Sequence, residues 1–133
     1  VIVLDEQLKN SGLAEQLSSW YRGSIIDITT LRPGTVIKDE AIPVLLRRVQ
    51  NPTFVTINVT DFWQRVPADR HFCMICVPLP DERVNEISAL LRRLFRFVEF
   101  GSRRARCGKI VLLSHTQVKY YQTADSQVRI IEW

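Results

Sequence analysis

Thr53-Phe54-Val55-Thr56-Ile57-Asn58-Val59-Thr60-Asp61-Phe62 decides how the rest of this chain is read. Its first half is a short β-rich apolar run, and its second half delivers Asn58, Thr60 and Asp61 directly after that run. The start of the chain does the same, with Val1-Ile2-Val3-Leu4 running into Asp5-Glu6. A third acidic pair, Asp39-Glu40, opens an apolar helical pattern. Each acidic cluster therefore stands at a transition between elements, and in an α/β sheet such transitions can fall along one edge. Acidic groups gathered on one edge hold a hard divalent cation, and a cation so held is a means of cutting a phosphodiester bond.

Working outward, the run 1–4 shows no polar alternation and reads as a strand buried on both faces. A helix is predicted over residues 7–21, with Leu8, Leu13, Ala14, Leu17 and Trp20 on its inner stripe; Gly12 weakens its first half and Gly23 stops it. Residues 24–29 read as a second strand and Pro33-Gly34 as a turn. Asp39 is a helix-cap candidate for a stripe of Ile42, Leu45, Leu46 and Val49, provided that Pro43 falls in the first turn. Residues 53–57 and 71–77 read as strands three and four. A long helix is predicted over 82–100, burying Val84, Ile87, Leu91, Leu94, Phe95 and Val98. After a basic loop at 101–109 the period becomes two, predicting strands at 109–114, 117–122 and 128–133 as a hairpin or meander.

Strands alternating with helices imply an α/β fold with a mostly parallel sheet and right-handed crossovers. Ligands of such sheets bind outside the carboxyl ends of the strands, where the winding reverses. That rule sends Asp5, the 29–32 loop and residues 58–61 to one edge, with Asp39 brought near by its helix. A length of 133 residues fits a single domain, read as an α/β core over 1–100 and a β extension over 101–133.

The composition is 46% apolar, ordinary for a soluble globular chain, and no apolar window is long enough for a membrane span. The opening run is too short and lacks the basic flank of a signal peptide, and the absence of an initial Met is the mark expected of a trimmed N-terminus. Three cysteines without an export signal predict a reduced, cytoplasmic setting. Cys73 and Cys76 have C-x-x-C spacing, but positions three apart on a strand face opposite ways, so buried inert thiols are expected there. The net charge of +4 favours a polyanionic partner. Arg92, Arg93 and Arg96 on the long helix, and Arg103, Arg104, Arg106 and Lys109 in the basic loop, are candidates to track a phosphate backbone, as are Arg47-Arg48. Their alternative is a solvated face, or cations complementing helix C-termini. Trp20 and Trp63 are expected to pack, and Trp133 to mark a partner surface. The chain has no P-loop, G-x-G-x-x-G or G-x-S-x-G motif, which removes support for nucleotide hydrolysis, Rossmann cofactors and hydrolase-elbow chemistry.

Taken one at a time, Asp5, Asp39 and Asp61 each have a capping role as an alternative to metal ligation. In order, on this strand–helix pattern, they carry a resemblance. The strand running into Leu4-Asp5-Glu6-Gln7-Leu8, the helix start Lys38-Asp39-Glu40-Ala41-Ile42 and Val55-Thr56-Ile57-Asn58-Val59-Thr60-Asp61-Phe62 resemble the PIN-like nuclease domains, specifically a short bacterial family similar to the toxin halves of toxin–antitoxin pairs. The resemblance covers about residues 1–100. It implies a three-layer α/β/α fold around a parallel sheet. It also implies Mg²⁺ or Mn²⁺ bound by acidic side chains, and hydrolysis of RNA.

Carried over by position, Asp5 is the central metal ligand and Asp39 the second. Asn58 stands where many members have another Asp, with Asp61 three residues on. An amide oxygen can ligate a hard cation but adds no charge, which leaves a non-cutting member as the alternative. On this reading Asp5, Asp39 and Asp61 are the catalytic acids, Glu6 and Glu40 orient water or a ligand, and Thr56 or Thr60 assists by hydrogen bonding. The partners implied are RNA, a small antitoxin protein and a second copy of the chain.

Overall fold

The apolar runs become the centre of a seven-stranded sheet in the computed structural model, which describes residues 1–133. Its strands are β1 (Ile2–Leu4), β2 (Ile25–Asp27), β3 (Thr53–Thr56), β4 (Cys73–Cys76), β5 (Lys109–Leu113), β6 (Gln117–Gln122) and β7 (Asp125–Glu132). The order across the sheet is β2-β1-β3-β4-β5-β6-β7. The first five run parallel, while β6 and β7 return antiparallel as a meander. The closing segment is thus part of the same sheet as the core. The parallel part has the 2-1-3-4-5 order of doubly wound sheets, and its winding reverses between β1 and β3.

Strand residues alternate between two apolar clusters. Ile2, Leu4, Val55, Cys73, Ile75 and Val111 face α1 (Leu13–Ser18) and α4 (Ile87–Leu94). Val3, Phe54, Met74, Cys76 and Ile110 face α2 (Ile42–Leu46) and, through Phe62, α3 (Val59–Phe62). Burial on both faces is why β1, β3 and β4 show no polar alternation. Cys73 and Cys76 fall into opposite clusters, and burial pushes both thiols up to about 12, as inert core groups. The fold is therefore α/β with helices on both faces of a mostly parallel sheet. No helix is long and apolar enough to cross a membrane.

The helices are shorter than their stripes predict. The expected helix over 7–21 is a 3-10 turn (Glu6–Leu8), a break, and then α1. Asn10 and Gly12 take left-handed backbone, φ 62° and 87°, and the Ser11 hydroxyl donates to the Leu8 carbonyl where the helix would continue. The helix over 82–100 is a 3-10 turn (Asp81–Glu86) followed by α4, which stops at Leu94. Beyond it the helical stripe no longer applies, and Val98, expected inside, is 85% exposed. Pro43 does sit in the first turn of α2. The basic loop contains a single helical turn, α5 (Arg103–Arg106), capped by the Ser102 hydroxyl.

Trp133, read as a partner surface, is half-buried: its ring packs at 5.8 Å from Phe97, Arg93 lies over it, and its Nε1 donates to the Ser114 carbonyl. One further expectation is corrected. Arg106 is not available to a phosphate backbone. It is 2% exposed, its Nε donates to Thr53 Oγ1 at 2.9 Å, its Nη1 donates to the Phe100 carbonyl at 2.9 Å, and its guanidinium stacks on Phe95. A buried cation with neutral partners is tolerated only because those bonds replace its water. Arg106→Ala is expected to lower unfolding free energy in urea by about 3 kcal/mol, against less than about 0.5 kcal/mol for the exposed Arg104→Ala. Equal effects of the two substitutions would contradict this role.

Candidate functional site

Asp5 leaves the carboxyl end of β1 at the point where the winding reverses, and Thr56 ends the neighbouring β3. The Thr56 hydroxyl, fully buried, donates to Asp5 Oδ2 at 2.6 Å and accepts from the Asn58 N–H at 2.9 Å. Asp5 Oδ1 accepts from the Glu6 N–H at 2.8 Å and so caps the following 3-10 turn. The capping role considered for Asp5 is therefore real, and it coexists with a carboxylate at the switch point. Asp5 is only 6% exposed. Burial raises its pKa, opposed by the Thr56 hydroxyl and the Glu6 N–H.

Asn58 caps α3: its Oδ1 accepts from the Asp61 N–H at 3.2 Å. That fixes the amide's orientation, because only the oxygen can face an N–H. The Asn58 Nδ2 is then turned to the acids, donating to Asp61 Oδ2 at 2.8 Å and reaching Asp39 Oδ2 at 3.4 Å. The Asn58 oxygen, expected as a metal ligand, spends one lone pair on this helix cap. The expectation that Asp39 would cap its helix fails. Lys38 occupies the cap position without a side-chain bond, and Asp39 lies in the first turn with its carboxyl directed to the Asn58–Asp61 pair.

Asp39 and Asp61 are in hydrogen-bonding contact, and the contact splits their titration. The Asp39 carboxyl is raised to about 6 by partial burial, by its bond to Asp61, and by the charges of Asp61, Asp5 and Glu40. Asp61 is lowered by its bonds to Asn58 and Asp39, with help from Arg65. The two therefore titrate as a pair, with Asp39 the member pushed up and Asp61 the member pushed down. A cavity of about 400 Å³ opens beside them, lined by Asp39, Glu40, Asp61, Arg65 and Pro67 among others. Thr60 and Glu6 are exposed on the same edge.

The structure thus brings Asp5, Thr56, Asn58, Asp61 and Asp39 into one hydrogen-bonded network. Asp39 and Asp61 touch, while Asp5 stands behind Thr56. His, Cys, Asp and Glu side chains do not close in threes on a common point. Two participants escape a sequence reading. Arg65, beside Asp61, carries no motif. Asp27 ends β2 on the same edge but spends its carboxylate on the Thr29 N–H at 3.0 Å; reading 24–29 as one unbroken strand conceals it.

The arginines go elsewhere. Arg47-Arg48, Arg103 and Arg104 precede β3 and β5, so they lie at the amino edge, a strand length away from the acids, about 13 Å. Arg92, Arg93 and Arg96 are exposed on and after α4, with Arg93 held over Trp133. None of the predicted nucleic-acid arginines bonds to the acidic network.

No protein-family model matches the chain, and neither a curated protein nor a solved structure matches it.

A carboxyl raised from 3.8 to about 6 makes the folded state bind a proton that the unfolded state has released, so its contribution to stability is present at low pH and is lost as pH rises through 6. Asp39→Asn keeps a donor to Asp61 and removes the titration. The variant is expected to melt roughly 1–3 °C above wild type at pH 7.5, with the gain disappearing below pH 4. A gain that does not change with pH would show that Asp39 carries no such shift.

Proposed function

We propose that this chain is a metal-dependent ribonuclease of the PIN-like toxin type, hydrolysing RNA phosphodiester bonds with Mg²⁺ or Mn²⁺. The observation that carries the reading is the contact of Asp39 with Asp61, backed by Asp5 and Glu40, at the carboxyl edge where the winding reverses. Partial burial, together with the Asp61 bond and the charges of Asp61, Asp5 and Glu40, raises the Asp39 carboxyl to about 6. Carboxylate oxygens are the donors that hard divalent cations take, and such a cation relieves the repulsion among these acids. The donor chemistry therefore fits Mg²⁺ or Mn²⁺.

Asp39 and Asp61 would hold the ion, and Asp5 would add charge from behind. The bound cation supplies an activated water and neutralises charge on the phosphate oxygens. Asp39 must release its proton for this, so occupancy rises with pH through about 6. Thr56 is a positioning residue: it touches Asp5 and the Asn58 backbone, and ties the ends of β1 and β3 together. Arg65, which lines the cavity beside Asp61, would meet a phosphate there. A small antitoxin protein, a homodimer and a cytoplasmic setting belong to the same proposal.

One observation favours a second reading, a catalytically silent PIN-like module that binds nucleic acid or a protein. The Asn58 amide already donates to both Asp39 and Asp61, and a neutral donor there takes part of the role of a cation. Metal titration separates the two. In the nuclease, Mn²⁺ raises the melting temperature of wild type and not of Asp39→Asn/Asp61→Asn, and RNA is cleaved only with metal. Asp39→Asn or Asp61→Asn is expected to lower cleavage by at least about 100-fold, and Thr56→Val by about 10- to 100-fold. Cleavage by the aspartate variants at the wild-type rate excludes this site. A metal-insensitive protein that leaves RNA intact is the silent module.

A further inference from the structure

Three segments enter three neighbouring parallel strands: the end of α2 leads into β3, residues 69–72 into β4, and α5 into β5. Because those strands run the same way in adjacent register, the three segments lie side by side at the amino edge. Each delivers arginine there: Arg47 and Arg48 from the first, Arg70 from the second, Arg103 and Arg104 from the third. Backbone bonds fix the junctions, with the Cys73 N–H on the Pro52 carbonyl at 3.0 Å and the Gly108 N–H on the Phe72 carbonyl at 2.9 Å. The Cys107 thiol closes the seam, donating towards Asn51 Oδ1 and the His71 carbonyl. A concavity of about 400 Å³ lies here, lined by Arg47, Arg48, Asn51, Arg70 and His71.

All five arginines are exposed. Arg47 is paired with Asp69 at 2.7 Å, and Asp69 also holds His71 at 2.8 Å. Arg48, Arg70, Arg103 and Arg104 have no carboxylate within ion-pair distance. Five arginines set against the one carboxylate of Asp69 match the whole surplus of the chain, whose net charge is +4. These arginines gather at one edge of the sheet, while Asp5, Asp39 and Asp61 lie at the other.

Three adjacent loops span about 10 Å, so these guanidiniums meet several phosphates of a chain rather than one small anion. Every cation in the group is arginine, whose planar fork matches phosphate oxygens in pairs. The rim is polar, with Gln50 and Asn51, and presents no large apolar side chain to enter a lipid surface.

We propose that the amino edge of the sheet is a binding face for an RNA backbone, separate from the acidic carboxyl edge and carried by Arg48, Arg70, Arg103 and Arg104. The proposal rests on the ribonuclease reading only in naming RNA; the face binds whether or not the acidic edge cuts. It places RNA where the carboxylates do not repel it and gives the domain affinity without metal.

The test is fluorescence anisotropy of a short labelled single-stranded RNA in EDTA, from about 50 to about 200 mM KCl. Wild type should bind with a steep salt dependence. Arg48→Ala/Arg70→Ala/Arg104→Ala should bind at least about 10-fold more weakly at the lowest salt, with a log–log salt slope shallower by about 2, near 0.7 for each phosphate no longer neutralised. Asp39→Asn/Asp61→Asn should bind as tightly as wild type or more tightly. Thermal unfolding confirms that the variants are folded; if the triple variant is not, Arg104→Glu alone must still weaken binding. The proposal is overturned if the folded triple variant matches wild type in affinity and slope, or if the aspartate variant is the one that loses binding. It is overturned equally if anionic vesicles are bound and RNA is not, or if the arginines instead hold a salt-sensitive head-to-tail oligomer on the acidic edge of a second copy. Loss of cleavage with this binding intact counts against the ribonuclease reading alone.

Discussion

Parallel pairing of β1, β3, β4 and β5 is the constraint from which the rest of this molecule follows. When neighbouring strands run the same way, whatever follows a strand collects at one edge and whatever precedes it collects at the other. Asp5 follows β1 and Asn58–Asp61 follow β3, while Arg47-Arg48, Arg70 and Arg103-Arg104 precede β3, β4 and β5. Order along the chain becomes polarity across the sheet. The crossovers that parallel strands require also bury both faces, which is why the central strands are apolar throughout.

The acidic edge shows how closely structure and chemistry share the same atoms. Asp5 caps a turn with one oxygen and receives Thr56 with the other. Asn58 caps α3 with its oxygen and offers its nitrogen to two carboxylates. Capping and ligation are competing explanations for an isolated aspartate. Here the cap is what aims the group, because a capped helix start has a fixed position relative to the strand before it. The cost of burying and gathering the acids shows in the Asp39 carboxyl, raised to about 6.

Much of the sheet was legible, because continuous apolar runs and a late change to period two are direct consequences of burial on two faces and of hairpin pairing. The strands stand within a few residues of the expected runs. Helix lengths were less legible. Nothing in the stripe of residues 7–21 announces that Asn10 and Gly12 would turn left-handed, and Val98 fits a helical face that ends before reaching it. Of the site, the three aspartates and Thr56 could be picked out because each stands at a transition. The direction of the Asn58 amide and the presence of Arg65 could not, since both depend on which groups lie across from α3.

The arginines mark the boundary most sharply. Arg103, Arg104 and Arg106 are indistinguishable in sequence, yet two are exposed and the third is enclosed by Thr53, Phe95 and Phe100. Local pattern determined the strands, the parallel class and the candidate acids, because hydrophobic period and strand–helix alternation are properties of neighbours along the chain. Tertiary structure alone decided which acids touch, which amide atom faces them, which arginine is buried, and that the basic and acidic groups occupy opposite edges. Those are distances between residues far apart in sequence, fixed only once the strands have been assembled in their order.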